Sequence, residues 1–317
     1  MHGGELMSAY LEIINQYLEF CKYPKGLNPK TIKAYRIDLT QFYNFICSYN
    51  KEMDKSGITS YITHISKQYK PKSIKRKIAS LKAFFSYLEY EEIIDQTPFH
   101  KIKTHYKDPF ILPRTIPISF ATAIFKTAYI QMTDAENGDF SLNRYLSLLR
   151  NVAVLELLFA TGIRVSELCS LKDKDVNLTE KYIKVYGKGA KERVIQIGNE
   201  NVIAILKKYV LYRNEAWHDN DSFFLNRSGN KLSEQSVRLM IDKYSKAADV
   251  PLHITPHMFR HTFATLLLEE NVDIRYIQQV LGHSSIITTQ IYTHVTSNMQ
   301  RNILTENNPR NHIDLSK

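Results

Sequence analysis

The 317-residue chain contains little cysteine. Its three cysteines, Cys21, Cys47 and Cys169, are scattered, odd in number and without a C-x-x-C spacing. This pattern excludes a disulfide framework and a cysteine zinc site, and it indicates a reducing environment. An N-terminal signal pattern is also missing, and no apolar run approaches the length needed to cross a bilayer. We therefore expect a cytoplasmic protein with no membrane partner.

Motifs for nucleotides and metals are equally scarce. The phosphate-binding pattern G-x-x-x-x-G-K-[ST] is absent, which excludes a P-loop. His253, His257 and His261 are spaced by four, as zinc ligands on one helix would be. Pro256 starts a new helix between them, so His253 should lie out of register with the other two, and His261 is better explained as a packed, hydrogen-bonded residue. We predict no metal and no cofactor.

Positive charge is abundant and unevenly distributed. The formal net charge is +10, and residues 1–118 carry 18 Lys and Arg against 11 Asp and Glu, whereas residues 119–317 carry 24 against 21. A basic excess in the first part of the chain favours a polyanionic partner, because cations that neutralise phosphates release counterions. A solubilising surface is the competing explanation.

The pattern of apolar residues predicts a mainly α fold in two parts. Residues 1–105 contain four amphipathic segments, including a stripe of Ile and aromatic residues after the Asn28-Pro29 helix start, which predicts a small four-helix domain. Three prolines between Thr104 and Pro117 predict an extended linker, with the domain boundary at residues 106–118. Residues 119–317 are predicted to form an α-rich domain.

One helix of the first domain is strongly basic. Seven basic residues and no acidic residue lie between Lys67 and Lys82. Five of them are predicted to form one positive face that binds DNA phosphates: Lys72, Lys75, Arg76, Lys77 and Lys82. A solvated helix face is the alternative for such a run.

The second domain should contain seven helices and one β-hairpin. The helices are expected at Ser119–Ala128, Tyr145–Thr161, Asn201–Tyr212, Ser233–Ala248, Pro256–Glu269, Asp273–Leu281 and before Tyr292. The runs Y-I-K-V-Y from Tyr182 and R-V-I-Q-I from Arg193 are typical of strands joined by a glycine-rich turn. The polar stretch from Gln131 to Asn143 is interpreted as a surface loop.

The same domain contains a set of residues suited to phosphodiester chemistry. They lie in five motifs, T-G-I-R-V-S-E-L, Y-G-K-G-A-K-E-R, T-P-H-M-F-R-H, L-G-H-S-S and T-T-Q-I-Y-T-H-V, and are Arg164, Lys188, His257, Arg260, His283 and Tyr292. Three cations, two imidazoles and a phenol suffice to break and rejoin a phosphodiester without a metal or nucleotide. His257 and Arg260 are three residues apart, so they share a face of a helix whose first turn suits phosphate.

In these motifs the chain resembles the tyrosine recombinase, or phage integrase, family, and within it the Xer-type recombinases. The resemblance implies an N-terminal core-binding, SAM-like domain and a catalytic domain with Tyr292 as nucleophile. Arg164 and Arg260 would hold the scissile phosphate, His283 would contact it, and Lys188 would protonate the leaving 5′-oxygen. Glu167 would orient the site without taking part in the chemistry. Phe259 departs from the family's usual leucine.

The resemblance also implies a function and a set of partners. We expect a site-specific recombinase that cuts double-stranded DNA through a 3′-phosphotyrosyl intermediate and a Holliday junction, at the nucleoid. It should assemble as a tetramer on two sites through the segment from Val295 to Leu304, with a possible accessory protein or partner recombinase. A type IB topoisomerase and a catalytically silent DNA-binding regulator are the alternatives. Integration, excision, inversion and dimer resolution all remain open outcomes.

Overall fold

The computed structural model describes residues 2–102, 113–138, 141–187, 192–217 and 220–282, with side chains from Tyr10 onward. It divides into two compact units, Met1–Phe110 and Ile111–Lys317. Both are mostly helical, which confirms the predicted fold class. Within the described residues, no helix combines the length and apolar content needed to cross a lipid bilayer.

The first unit contains the four predicted helices. They are α1 (His2–Lys22), α2 (Pro29–Ser48), α3 (Lys55–Gln68) and α4 (Pro71–Tyr90), followed by a short 3₁₀ turn at Pro98–Lys101. Local sequence sets two of the starts, because the Asn28 side chain accepts a hydrogen bond from the Lys30 amide and Asp54 accepts one from the Gly57 amide. Their apolar faces enclose a core rich in aromatic rings, including Tyr17, Phe42 and Phe85.

A buried ionic cluster joins α2 to α4 in this unit. The Asp38 carboxylate is 0% exposed and accepts hydrogen bonds from Arg76 at 2.5 Å, from Lys77 at 3.1 Å and from Ser80 at 2.8 Å. The Lys77 ammonium, whose side chain is 3% exposed, also donates to Gln41. The prediction that Lys77 belongs to the exposed basic face is therefore wrong, since its charge is required inside to balance Asp38.

The second unit is built around one long buried helix. Its helices are α5 (Ile118–Asn137), α6 (Leu142–Thr161), α7 (Val165–Leu168), α8 (Glu200–Ala216), α9 (Glu234–Ala247), α10 (Pro256–Glu269) and α11 (Ile274–Leu281). Helix α6 packs against α5, α8 and α10, and residues from Val152 to Leu155 are completely buried. The predicted start of α10 at Pro256 is confirmed.

The predicted loop from Gln131 to Asn143 is wrong over most of its length. Helix α5 continues to Asn137, and α6 begins at Leu142. The reason is that Met132 and Ala135 are buried and extend the apolar stripe of α5, while the polar residues between them face outward. A stretch that is polar on average is thus amphipathic at helical spacing.

A three-stranded antiparallel sheet packs beside these helices. It contains β1 (Val176–Asn177), β2 (Tyr182–Tyr186) and β3 (Glu192–Gln196) in the order β1-β2-β3. The predicted hairpin is confirmed, with Tyr182 opposite Gln196 and Tyr186 opposite Glu192. The short β1 is an addition that the sequence did not indicate. Along β3 the side chains alternate, so Arg193 and Ile195 lie on the covered face and Val194 lies on the exposed face.

Candidate active site

Arg164 lies directly after the end of the buried helix α6, where the chain turns into α7. Gly162 ends α6 with a φ of 59°, and a Cβ there would lie 2.5 Å from the Phe263 ring, so only glycine fits the turn. Helix α7 begins after Arg164, whose backbone amide donates to the Glu167 carboxylate at 3.0 Å. The Arg164 Nη1 donates to the same carboxylate at 2.8 Å. Its side chain is 33% exposed, so the guanidinium is held and yet accessible.

Glu167 is the anchor of this arrangement. Its side chain is 5% exposed and receives two further hydrogen bonds from Arg193, at 3.0 Å and 2.8 Å. Burial raises the pKa of Glu167, but the hydrogen bonds and positive charges of Arg193 and Arg164 outweigh it and hold the pKa below its usual value. The group is therefore a carboxylate at neutral pH.

Arg193 was not singled out from the sequence, although it lies in the motif G-K-G-A-K-E-R. Its side chain is 12% exposed, and its Nε donates to the Val280 carbonyl at 2.8 Å. One signal could have found it. Strand alternation places a charged residue on the covered face of β3, and a charge at such a position is normally paired.

Arg260 reaches the same region from α10. It is 4% exposed, and it donates to the Gly162 carbonyl at 2.9 Å and to the Leu281 carbonyl at 2.6 Å. Arg164 makes longer contacts of 3.4 Å with the carbonyls of Leu281 and Gly282. Two guanidinium groups far apart in sequence therefore converge on one carbonyl oxygen.

The end of α11 is the common target of all three arginines. Arg193 binds the Val280 carbonyl, while Arg164 and Arg260 bind the Leu281 carbonyl. The last carbonyls of a helix lack partners within the helix and carry partial negative charge, so cations stabilise them. Gly282, with a φ of 64°, ends the helix and leads directly to His283. The convergence thus creates a concentrated positive patch at the point where the next predicted site residue follows.

His257 lies in the first turn of α10, on the exposed surface beside this patch. Partial burial of the ring disfavours the charged imidazolium and lowers the pKa of His257. The positive charges of Arg260, Arg238 and Arg164 lower this pKa further, and Glu234 opposes them with a smaller effect. The imidazole is therefore neutral at pH 7, with one ring nitrogen able to donate and the other able to accept.

His261 and His253 do not join His257 in a metal site. Burial, followed by the nearby His257 and Arg260, lowers the pKa of His261 to about 4. His253 precedes α10 and is exposed, with Asp242 at 3.9 Å. In the part of the chain that the structure describes, no group of three His, Cys, Asp or Glu side chains is placed to hold a metal ion.

Three of the predicted site residues, Lys188, His283 and Tyr292, lie outside the described residues. For Lys188 and His283, residues close by in the chain are described. Tyr186 and Glu192 form the strand pair nearest to Lys188 in the chain, and Gly282 directly precedes His283.

In the first unit, the basic residues of α4 divide into two groups. Lys72 and Lys82 are exposed, Lys75 is half-buried, and the Arg76 side chain is 46% exposed despite its bond to Asp38. Lys77 is turned inward against Asp38. The positive surface of α4 is therefore formed by Lys72, Lys75, Arg76 and Lys82.

Comparisons with known proteins show the family of the chain. Residues 141–299 match the phage integrase family, and residues 14–92 match the phage integrase N-terminal SAM-like domain. A tyrosine recombinase of Agathobacter rectalis is 52% identical over 301 residues, covering 94% of this chain and 96% of the relative. The chain belongs to the phage integrase family. It is a tyrosine recombinase, and hence a site-specific recombinase.

Xer-type proteins are among its relatives. The tyrosine recombinase XerC of Thermodesulfovibrio yellowstonii is 36% identical, covering 89% of this chain and 91% of the relative. Among solved structures, a XerA recombinase is 29% identical with a TM-score of 0.52, and the match covers 94% of this chain and 99% of XerA. A XerH recombinase bound to its difH substrate is 21% identical with a TM-score of 0.68, covering 92% and 84%. The likeness to XerH shows a shared fold.

Proposed function

We propose that this recombinase cuts and rejoins double-stranded DNA through a covalent 3′-phosphotyrosyl intermediate on Tyr292, without a metal ion or ATP. The observation that carries the proposal is the convergence of Arg164 and Arg260 on the Leu281 carbonyl, two residues before His283. These cations surround a site where a phosphate would gain charge during attack, and fixed guanidinium groups stabilise such charge strongly.

The reaction needs one bond made and one broken at phosphorus. The phenol oxygen of Tyr292 bonds to phosphorus as the bond to the 5′-oxygen breaks, and the 5′-oxygen takes a proton, which we assign to Lys188. The neutral imidazole of His257 has a ring nitrogen that can accept the phenol proton. Because the phosphodiester energy is kept in the tyrosine ester, a 5′-hydroxyl can reverse the step and reseal the strand.

The first unit would supply much of the DNA affinity. Lys72, Lys75, Arg76 and Lys82 give α4 a positive surface, as phosphate binding requires. Related folds have been solved with DNA, as XerH with difH and as a lambda integrase tetramer bound to a Holliday junction. The lambda integrase tetramer is 16% identical with a TM-score of 0.64, covering 89% of this chain and 76% of that chain. We infer that this chain also assembles as a tetramer on two sites at the nucleoid, through its segment after Tyr292.

A covalent-trapping experiment tests the proposal. A duplex selected by the protein from a random pool is nicked close to the cleavage point, so that the leaving fragment diffuses away and the adduct accumulates. The wild type should give a covalent adduct on a denaturing gel in excess EDTA. Tyr292→Phe should bind the same duplex and give none, because only the attacking oxygen is missing.

Four outcomes would contradict the proposal. An adduct that persists with Tyr292→Phe would remove Tyr292 as the nucleophile, and a strict requirement for Mg²⁺ would indicate a metal-dependent nuclease. Relaxation of supercoiled plasmid without exchange between two sites would favour the topoisomerase alternative. Binding without any adduct from the wild type would favour a silent regulator.

A further inference from the structure

The strongest unexplained feature of the second unit is the pairing of Arg193 with Glu167. The Glu167 Oε1 accepts from Arg164 Nη1 at 2.8 Å and from Arg193 Nη1 at 3.0 Å. Its Oε2 accepts from the Arg164 amide at 3.0 Å and from Arg193 Nη2 at 2.8 Å. Four donors thus fill the approximately four acceptor positions of a carboxylate. Arg193 fixes the plane of this carboxylate by two parallel bonds.

Arg193 also fixes the end of α11. Its Nε donates to the Val280 carbonyl, and its guanidinium lies against Gly282 so closely that a Cβ there would approach Arg193 Nη1 to 2.8 Å. Both contacts precede His283 by three residues or fewer. One side chain therefore contacts the start of α7 and the end of α11 from a strand of the hairpin.

We propose that Arg193 is a positioning residue for DNA cleavage, which orients the Arg164 guanidinium through Glu167 and anchors the turn that leads to His283. The proposal rests on the proposed cleavage function. Because β3 begins shortly after Lys188 in the chain, Arg193 links the strand next to the proposed general acid to the cations of the phosphate site.

A stability role alone is the competing explanation, and the chain offers a matched control for it. Arg213 in α8 also makes a bidentate pair, with Asp173 at 2.6 Å and 2.8 Å, and its side chain is 4% exposed while that of Asp173 is 45% exposed. Arg213→Gln and Arg193→Gln each remove one buried guanidinium from a carboxylate in the same unit. Both should lower the melting temperature, whereas only Arg193→Gln should slow cleavage.

The first measurement is the single-turnover rate of adduct formation at saturating protein, on the same nicked duplex. We expect Arg193→Gln to lose roughly 10- to 100-fold in rate, because a misplacement of about 1 Å in a catalytic group has an effect of that order. The dissociation constant for the duplex should change little. Arg193→Lys should recover only part of the rate, since an ammonium cannot make two parallel bonds.

The second measurement separates positioning of the phosphate clamp from a general loss of structure. A methylphosphonate at the cleavage point replaces one charged non-bridging oxygen by a methyl group. The transition state then carries less negative charge and needs less electrostatic stabilisation from Arg164. The rate deficit of Arg193→Gln should become much smaller on this substrate than on phosphate. The double variant with Glu167→Gln should lose less rate than the product of the two single losses, because one of the two routes by which Arg193 acts passes through that carboxylate.

The outcomes are distinguishable. If the wild type forms no adduct, the proposed cleavage function fails. If the wild type cleaves and Arg193→Gln cleaves equally fast, the positioning role is refuted. The role is also refuted if Arg193→Gln loses the same factor in rate on phosphate and on methylphosphonate and Arg213→Gln loses that factor too, because Arg193 is then a structural residue.

Discussion

The buried cluster around Asp38 makes a sharp prediction about which lysines of α4 bind DNA. Lys72 and Lys77 lie five residues apart on one helix, but Lys72 is exposed and Lys77 is buried against Asp38. Replacing either by glutamine removes one positive charge. Lys72→Gln should reduce the slope of log affinity against log salt by about 0.9, the change expected when one phosphate is no longer neutralised, and leave folding unchanged.

Lys77→Gln should leave the salt dependence of DNA binding unchanged and destabilise the first unit. The salt slope should stay at the wild-type value, while the first unit loses about 1–3 kcal/mol, because a charge-assisted hydrogen bond to Asp38 is removed and Arg76 and Ser80 still satisfy the carboxylate. Asp38→Asn should destabilise the first unit more strongly, by about 3–5 kcal/mol, since it leaves the Lys77 ammonium buried without its carboxylate. Such a loss is a large part of a typical domain's total stability.

Two assays on the full chain read these effects. Fluorescence anisotropy of a labelled duplex across a series of KCl concentrations gives the salt slope. Calorimetry, with hydrogen exchange of peptides from α2 and α4, gives the stability of the first unit. If Lys77→Gln lowers the slope as much as Lys72→Gln and leaves the first unit as stable as the wild type, Lys77 reaches DNA and the buried pair is not its functional state.

Three further predictions concern the second unit. Lys188→Ala should slow cleavage strongly at unchanged affinity, and a bridging 5′-phosphorothiolate, whose leaving group needs no proton, should restore it; without that rescue another residue is the acid. Truncation after Thr296 should preserve single-site binding in gel shifts and weaken two-site assembly, and a wild-type recombination rate would refute the coupling. Because the folded pKa of His261 is about 4, below the unfolded value near 6.5, its contribution to stability is complete above pH 6.5 and lost as pH falls towards 4. His261→Gln should therefore flatten urea-unfolding stability between pH 7.5 and pH 5, where the wild type should lose up to about 2 kcal/mol through this group.

The sequence alone determined the features that depend on neighbours along the chain. The stripe on α2, the start of α10 at Pro256 and the hairpin from Tyr182 follow from periodicity, capping and turn residues, which are local effects. The family motifs likewise pointed to Arg164, His257 and Arg260, and the structure places the two arginines at the end of α11 with His257 near both of them.

The tertiary structure decided which charges are buried and with which partners. Lys77 was predicted to lie on an exposed basic face and Arg193 was not singled out, yet Lys77 balances Asp38 across two helices and Arg193 balances Glu167 from a strand 26 residues away. The helical part of Gln131–Asn143 was missed for a related reason, since only packing against the core distinguishes an amphipathic polar helix from a loop. Burial of a charge is favourable only when a distant partner and the surrounding packing are both in place, and neither is written in the local pattern of residues.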